Sequence, residues 1–424
     1  MIEIVLGILF IAGYAVISFE HPLKINKTGT AVLLGVLIWT LYIVFGSQQN
    51  EIVLEELSHH LAGIAEILFF LMGAMTIVEL IDTHKGFRII TNLIQTDSRV
   101  KLLWIICGIT FILSAILDNL TTAIVMVSLL RKLVDDKKER LVMASMVIIA
   151  ANAGGAWSPI GDVTTTMLWI GNRISATGIM SKLFLPSLIS LLVPLVYQSY
   201  FMNGKLLKDG SPENRLPAAE PFSNAIFFLG VGALISVPVF KTLTHLPPYM
   251  GMLMALGVLW VVTELWHSGI EDRRHLRVSN VLSKIDLTSI LFFLGILLAV
   301  AGLESIGLLK NAAFWLDSAI GDKDVIVTIF GLLSSVIDNV PLVAATMGMY
   351  SVTDFPLDHK IWEMIAFCAG TGGSILIIGS AAGVVVMGME KIDFIWYLKN
   401  ISITALFGYF AGVITYLLMF QMLN

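Results

Sequence analysis

Long apolar runs, separated by short polar stretches, follow one another along nearly the whole chain. A helix needs about 20 predominantly apolar residues to cross a bilayer. Ten runs fit one crossing each: 2–19, 29–46, 61–81, 141–170, 179–202, 222–240, 249–267, 286–303, 361–389 and 394–421. The pattern therefore predicts an all-α integral membrane protein.

Two further apolar segments, 101–133 and 324–352, carry a polar break in the middle. Each half of such a segment has about 15 residues and would extend roughly 22 Å as a helix. That length falls short of a hydrocarbon core of roughly 30 Å. We therefore predict that each segment is a re-entrant hairpin, which enters and leaves the membrane on the same side.

Glycine pairs interrupt two of the predicted crossings. The stretches are "NAGGAWSPIGDVTTT" (152–166) and "GTGGSILIIGSAAG" (370–383). Glycine and proline weaken a helix interior, so each crossing is predicted to be a discontinuous helix. Unwound backbone at membrane depth is tolerated only where it is buried in protein or lines a cavity. The breaks therefore indicate a functional site.

The two halves of the chain repeat these features in the same order. "FLMGAM" matches "FFLGIL", the two hairpins match, and the two glycine stretches match, at offsets of 222, 220 and 218 residues. Each half holds five crossings and one hairpin, and because five is odd the second half is predicted to run inverted, as in many secondary transporters. The predicted organisation is a first repeat 1–204, a cytoplasmic linker 205–221 and a second repeat 222–424.

Lysine and arginine are concentrated in six loops: 20–28, 83–88, 97–101, 131–140, 203–215 and 271–277. If segment 101–133 is re-entrant, all six loops lie on one face, which the positive-inside rule assigns to the cytoplasm. Both termini are then outside. The first apolar run lacks a basic flank and a small-residue cleavage site, so we interpret it as a retained helix.

Composition leaves little room for a soluble domain. Only 13% of the residues are charged and 57% are hydrophobic, whereas soluble domains carry roughly 25% charged residues. The expected partner is membrane lipid, with no nucleic acid and no cofactor. Cys107 and Cys368 show no metal-ligand spacing, and we interpret both as packing residues.

The polar residues at the hairpin tips and helix breaks are the candidate chemistry. Their carboxylate, amide and hydroxyl oxygens are hard ligands that suit small hard cations. An aspartate that releases a proton to bind a cation couples the two ions by competition, and the chain has no ATP-binding G-x-x-x-x-G-K-[ST] motif. The candidates are Asp118, Asn119, Thr121, Asn152, Ser158, Asp162, Thr164, Thr165, Asp338, Asn339, Ser374 and Ser380.

Four stretches carry a family resemblance: "ILDNLTTAIVMVSLL", "NAGGAWSPIGDVTTTMLW", "SSVIDNVPLVAATMGMY" and "GTGGSILIIGSAAGVVVMG". Together they resemble the NhaD-type sodium/proton antiporters of the ion transporter superfamily. The resemblance covers nearly the whole chain. It implies export of Na+ or Li+ in exchange for protons, a homodimer with scaffold and transport domains, an elevator-like movement, and a place in the inner (cell) membrane of a bacterium.

The resemblance also implies a set of site residues. The family's polar positions correspond to Asp118, Asn119, Asp162, Thr164, Thr165 and Asn339, together with Asn152 and Ser334. Of these, Asp118, Asn119, Asp162 and Asn339 are the expected ligands of Na+ or Li+. Ser380 stands where the first half has Asp162, so we do not expect two symmetric ion sites.

Other interpretations stay open at this point. An anion transporter of the same superfamily, for a dicarboxylate or arsenite, would share the architecture, although an aspartate at a hairpin tip would repel its substrate. An intramembrane aspartyl protease would use paired carboxylates but leaves the duplicated asparagines unexplained. The tip residues could also serve only as helix caps. Glu66 is a weaker candidate, and His59 and His60 are candidate pH sensors.

Overall fold

The computed structural model describes the chain except residues 1, 19, 21–23, 47, 95, 97, 203, 205–219 and 424. The predicted linker 205–221 therefore lies almost entirely outside the described residues. Within the described part of the chain, every regular element is a helix and no strand occurs. The predicted all-α class is confirmed.

We number the α-helices in chain order. They are α1 Ile2–Ser18, α2 Lys27–Phe45, α3 Asn50–Thr83, α4 Arg88–Leu93, α5 Arg99–Leu117, α6 Asn119–Leu133, α7 Lys137–Gly155, α8 Val163–Ile170, α9 Ala176–Phe201, α10 Ser223–Thr244, α11 Pro248–His267, α12 Val278–Val281, α13 Leu287–Ser305, α14 Leu308–Ile320, α15 Lys323–Leu333, α16 Asn339–Met349, α17 Lys360–Gly372, α18 Ala381–Glu390, α19 Phe394–Tyr397 and α20 Ile403–Leu423. A 3-10 helix, Glu271–Leu276, precedes α12, and a π-helix, Leu398–Ser402, joins α19 to α20.

Eight helical stretches among the described residues are long and apolar enough to cross a membrane. They are Lys27–Phe45, Asn50–Thr83, Arg99–Leu117, Ala176–Phe201, Ser223–Thr244, Pro248–His267, Leu287–Ser305 and Phe394–Met422. The protein is therefore an integral, multi-pass membrane protein.

Helix α3 is much longer than the predicted crossing 61–81. Its 34 residues extend about 51 Å, well beyond the hydrocarbon core. Residues 50–60 contain no glycine or proline and are rich in Glu and Leu, which are good helix formers, so the helix begins before the apolar run does. Helix α14 was also missed, because it has only 13 residues and is amphipathic: Leu309 and Ala313 are buried, whereas Lys310 and Asn311 are exposed.

The first predicted hairpin consists of α5 and α6, which pack against each other. Asp118 alone separates them, and its φ of 83° makes the sharp reversal. Helix α5 has 19 residues and extends about 28 Å, so the expectation of two short arms is wrong for this arm. That the segment re-enters without crossing stays a prediction.

The second hairpin has two short arms, as predicted. Helices α15 and α16 have 11 residues each and extend about 17 Å, too little to cross. Residues 334–338 form the turn between them.

Both predicted discontinuous helices are present. Helices α7 and α8 are separated by residues 156–162, and α17 and α18 by residues 373–380. Glycine is required at these breaks because the backbones touch. A Cβ on Gly154 would collide with the carbonyl of Phe111, and a Cβ on Gly372 with that of Gly331. Each broken helix is thus packed directly against the hairpin of its own half.

The helices form two groups with the polar tips between them. The outer group consists of α1, α2, α3, α10, α11 and α13, in which α2 packs along α13 and α3 along α11. The core group consists of α5 to α9, α15 to α18 and α20, in which α5 packs on α7, α15 on α17 and α9 along α20. Helix α13 contacts α16, and α3 contacts α8, where the two groups meet.

Candidate cation site

Four helix N-termini carry polar caps at the tips and breaks. The caps are Asp118 for α6, Asp162 for α8, Asp338 for α16 and Ser380 for α18. Each side chain accepts a backbone N–H from the first turn, at 2.8 Å for the first two and 3.2 Å for the other two. Helix capping is therefore one role of these residues, and the remaining contacts decide whether they have another.

Asp162 lies at the centre of the polar cluster and is 1% exposed. Its Oδ2 accepts a 2.5 Å hydrogen bond from the Nδ2 of Asn119 at the first hairpin tip. The Nδ2 of Asn339, at the second hairpin tip, lies 3.4 Å from both carboxylate oxygens. The structure thus brings together three residues that are far apart in the sequence, as predicted.

Asn152 extends this cluster into the second half of the chain. Its Oδ1 accepts from Asn119 Nδ2 at 3.1 Å, and its own Nδ2 donates to the hydroxyls of Ser374 and Ser380, both at 2.9 Å. Asn152 is fully buried. Because every hydrogen-bonding atom of its amide is used, it connects the two broken helices in one orientation.

Three threonines hold the aspartates from nearby. Thr164 donates its hydroxyl to Asp162 Oδ1 at 2.8 Å, and Thr165 donates to the Asp162 carbonyl at 2.9 Å. Thr121 donates to Asp118 Oδ2 at 2.8 Å. Thr121 and Thr164 therefore contact the carboxylates directly, whereas Thr165 contacts the backbone of Asp162.

Asp118 and Asp338 are only partly buried, unlike Asp162. Neither forms a hydrogen bond with Asp162 among the described residues. The backbone N–H of Asp338 donates to the hydroxyl of Tyr14, in α1, at 2.9 Å. Sequence reasoning missed Tyr14, because a tyrosine in an apolar crossing carries no positional signal.

A cavity of about 60 Å³ lies between the two helix groups. A buried water needs roughly 10–15 Å³, so the cavity has room for a small cation with water. Its outer-group side is mainly apolar, including Phe70 and Phe293, which strengthens electrostatic interactions inside. Its polar lining is Asp118, Asn119, Thr121, Asp162, Thr166, Ser289, Asp338 and Asn339.

Several predicted residues lie beside the cavity rather than on it. Ser334 donates its hydroxyl to the carbonyl of Ala369 at 2.8 Å, and Ser158 donates to Ala115 at 2.5 Å. Ser374 reaches the cluster only through Asn152. Thr166 and Ser289 also line the cavity but were not predicted. Ser289 is an isolated hydroxyl beside an apolar run, and nothing in the sequence separates Thr166 from Thr164 and Thr165 beside it.

The weaker candidates belong to a different cavity. Glu66, His59 and His60 line a space of about 360 Å³ together with Glu304.

Among the described residues, no group of three or more His, Cys, Asp or Glu side chains could hold a metal ion. The oxygen atoms available to a cation at the Asp162 cavity therefore include amides and hydroxyls as well as carboxylates.

Comparison with known proteins supplies the family. The family model CitMHS, described as citrate transporter, matches residues 14–361. Sodium/proton antiporter 1 of Arabidopsis thaliana is 51% identical over 98% of this chain and 72% of its own length. The Na(+)/H(+) antiporter NhaD of Vibrio cholerae is 30% identical over 97% of this chain and 91% of its own length. The chain belongs to the NhaD-type sodium/proton antiporters.

A solved structure supports the fold of this antiporter. The YdaH transporter of Alcanivorax borkumensis matches with a TM-score of 0.59, covering 92% of this chain and 97% of that one. At 13% sequence identity the match shows the fold alone. The resemblance predicted from the motifs is confirmed, and the relatives named here are transporters.

Proposed function

We propose that this antiporter exchanges Na+ or Li+ for H+ across a membrane, with the cation and the proton competing for carboxylates in the Asp162 cavity. The observation that carries the proposal is the position of Asp162. It is buried and held by an asparagine from each hairpin tip, at a cavity between the two helix groups. Its hydrogen-bond donors are all uncharged. A buried carboxylate without a partner of opposite charge is costly, so a proton or a cation is needed to neutralise it.

The side chains of Asn119 and Asn339 can stabilise Asp162 both as a free carboxylate and with a bound cation. Their Nδ2 groups donate to the carboxylate, and their side-chain carbonyl oxygens accept no hydrogen bond from the described residues. Those oxygens are available to a hard cation. Asp118 and Asp338 line the same cavity and can add negative charge. Competition for Asp162 therefore couples the two ion flows.

An anion substrate is less consistent with this cavity, although the matching family model is described as a citrate transporter. Helix N-termini attract anions, but the four at this site are already capped by three aspartates and one serine. Asp118, Asp162 and Asp338 would repel a carboxylate substrate. We therefore propose neither an anion substrate nor a hydrolytic reaction.

We also propose that the two halves are inverted repeats, 1–204 and 222–424. Matching contacts support this. The hydroxyl of Ser114 donates to the carbonyl of Ala151, and Ser334 donates to Ala369. These four positions correspond at the sequence offsets of the two hairpins and the two glycine stretches.

The core group is proposed to move as one body against the outer group. Two buried glutamates form ion pairs that join its helices. Glu390 accepts from Arg131 at 2.6 Å and from Arg140 at 2.8 Å, and Glu363 accepts from Lys182 at 2.6 Å. These ion pairs keep the polar cluster intact while the core group slides against the largely apolar surface of the outer group. An elevator movement requires such a sliding contact.

For its setting we propose a homodimer in the inner (cell) membrane of a bacterium, with both termini outside. The support is the concentration of basic loops on one predicted face and the NhaD relatives from bacteria. The Arabidopsis relatives show that the family also occurs in a plant. We propose no resident cofactor and no nucleic-acid partner.

Everted vesicles from bacteria lacking their own sodium/proton antiporters test the proposal. With an acid-inside gradient, adding NaCl or LiCl should dissipate the gradient in vesicles that contain the wild type. Asp162→Asn should abolish the response, because an amide can neither exchange a proton nor neutralise a cation. Asp118→Asn should raise the Na+ concentration for half-maximal response.

The matched control is Asp322→Asn, which alters an aspartate that caps α15 away from the cavity. It should respond like the wild type. A wild-type response in Asp162→Asn would move the ion site elsewhere. The proposed exchange would be refuted if the well-expressed wild type responded to neither ion, and uptake of labelled succinate would then support an anion carrier.

A further inference from the structure

A further cavity, of about 130 Å³, lies between the loop that follows α3 and the helix α6. We call it the basic groove. Three cations line it, Lys85, Arg88 and Lys132, with Asp82 as the only lining carboxylate. The rest of its wall is Phe87, Ile90, Ile124, Val125, Ser128 and Leu129.

The three cations of the basic groove do not stabilise the fold through polar contacts of their side chains. Within the described part of the chain, none of the three side chains forms an ion pair or a hydrogen bond. Neighbouring arginines differ, because Arg131 and Arg140 bind Glu390. Glu79 acts on Lys85 from nearby and Asp82 offsets part of the charge, but three cations still face the groove. The groove is therefore suited to an anion.

The apolar wall indicates which kind of anion. Ile124, on α6, is 37% exposed, and the partly exposed Val125 lies next to it in the groove. Helix α3 is apolar enough to cross a membrane and ends at Thr83, so the groove lies where the membrane meets water. A soluble anion would gain nothing from this apolar surface, whereas a lipid offers both a phosphate and hydrocarbon.

We propose that the basic groove binds the phosphate headgroup of an anionic phospholipid, with the upper part of an acyl chain against Ile124 and Val125. Basic pockets between transmembrane helices are suited to such headgroups. The lipid bridges the outer and core groups, because Lys85 and Arg88 follow α3 whereas Lys132 lies on α6. At its other end α6 begins with Asn119, which contacts Asp162.

The test compares lipid binding by purified protein in a zwitterionic detergent. The groove variant is Lys85→Gln with Arg88→Gln and Lys132→Gln. The control variant is Lys101→Gln with Lys137→Gln and Lys138→Gln, three exposed lysines outside the groove. Both variants lose the same charge. Phosphatidylglycerol, phosphatidylcholine and inorganic phosphate are added separately, and native mass spectrometry and the thermal unfolding midpoint are measured.

Phosphatidylglycerol should bind to and stabilise the wild type and the control variant, whereas phosphatidylcholine should not. The groove variant should lose about fivefold in affinity for each cation removed. If the groove variant does not fold, Lys132→Gln alone should lose about fivefold in affinity for phosphatidylglycerol. Equal binding by the two variants, or equal stabilisation by inorganic phosphate, would overturn the proposal. Ion exchange is not measured, so the result is independent of the proposed function.

Discussion

At the scale of single residues, aspartates with the same local role as helix caps have different surroundings. Asp118 and Asp162 both cap helices, but only Asp162 is fully buried and bound by asparagines from both hairpins. Asn119 makes two well-formed contacts, with Asp162 and Asn152. Asn339 makes only long ones. The two asparagines are therefore expected to contribute unequally.

Replacing Asn119 by alanine should weaken Na+ binding more than replacing Asn339. A hydrogen bond to a charged group is worth about 1.5–3 kcal/mol, so Asn119→Ala should raise the half-maximal Na+ concentration by roughly tenfold or more. Fluorescence dequenching in everted vesicles measures that concentration. Asn50→Ala, at the exposed start of α3, is the control. A larger effect from Asn339→Ala would contradict the assignment.

At the scale of elements, the core group depends on a few buried polar contacts between helices. Glu363 on α17 is fully buried and joins two other helices: Lys182 on α9 and Tyr416 on α20 both donate to it at 2.6 Å. Such a contact fixes orientation, whereas apolar packing alone allows helices to slide. Removing one partner leaves a buried charge without compensation.

Lys182→Met should therefore lower the stability of the core group, by about 1.5–3 kcal/mol, the usual worth of a hydrogen bond to a charged group. The double variant Lys182→Met with Glu363→Met should recover part of the loss, because no unpaired charge remains. Thermal unfolding midpoints in detergent measure both effects. Lys323→Met, which breaks a more exposed pair with Asp317, is the control and should change little. If the double variant were less stable than Lys182→Met, the Lys182–Glu363 pair would not stabilise the core group in the way proposed.

How far the sequence predicts this fold differs from element to element. The hairpin tips and broken helices were predicted because a polar break in an apolar run is a local signal. The full length of α3 and the amphipathic α14 were missed, because a count of apolar residues does not register helices that leave the membrane. Ser334 was expected at the site, but its hydroxyl is taken by Ala369. Side-chain direction at a turn depends on tertiary packing.

At the scale of the whole molecule, contacts between the halves join elements far apart in sequence. The ring nitrogens Nε2 of His84 and His267 lie 3.1 Å apart at the ends of α3 and α11, and both residues are fully buried. His84 Nδ1 donates to the carbonyl of Leu80. Burial lowers the pKa of His84 and is the largest effect. The hydrogen bond to Leu80 and the charge of Glu220 raise this pKa, and His275 and Lys284 lower it. His84 therefore takes up a proton less readily in the folded protein than in the unfolded chain.

The lowered pKa of His84 determines how the stability of the protein depends on pH. The unfolded chain takes up a proton on His84 below its ordinary pKa of about 6.5, whereas the folded chain resists it. The stabilisation is thus present above about pH 6.5 and lost as the pH falls below it. The thermal unfolding midpoint should drop from pH 7.5 to 5.5, and His84→Gln should flatten the slope. His245→Gln, at an exposed position, should not.

The hydrogen bond between Tyr14 and Asp338 ties the first helix of the chain to the second hairpin tip, beside Asn339. An alteration in α1 is therefore expected to affect the proposed ion site, although it removes none of the proposed ligands. Deleting residues 2–18, or fusing a bulky partner close to them, would free the Asp338 N–H and loosen the turn that presents Asn339. Purification tags for transport measurements on this protein should therefore not be fused next to α1.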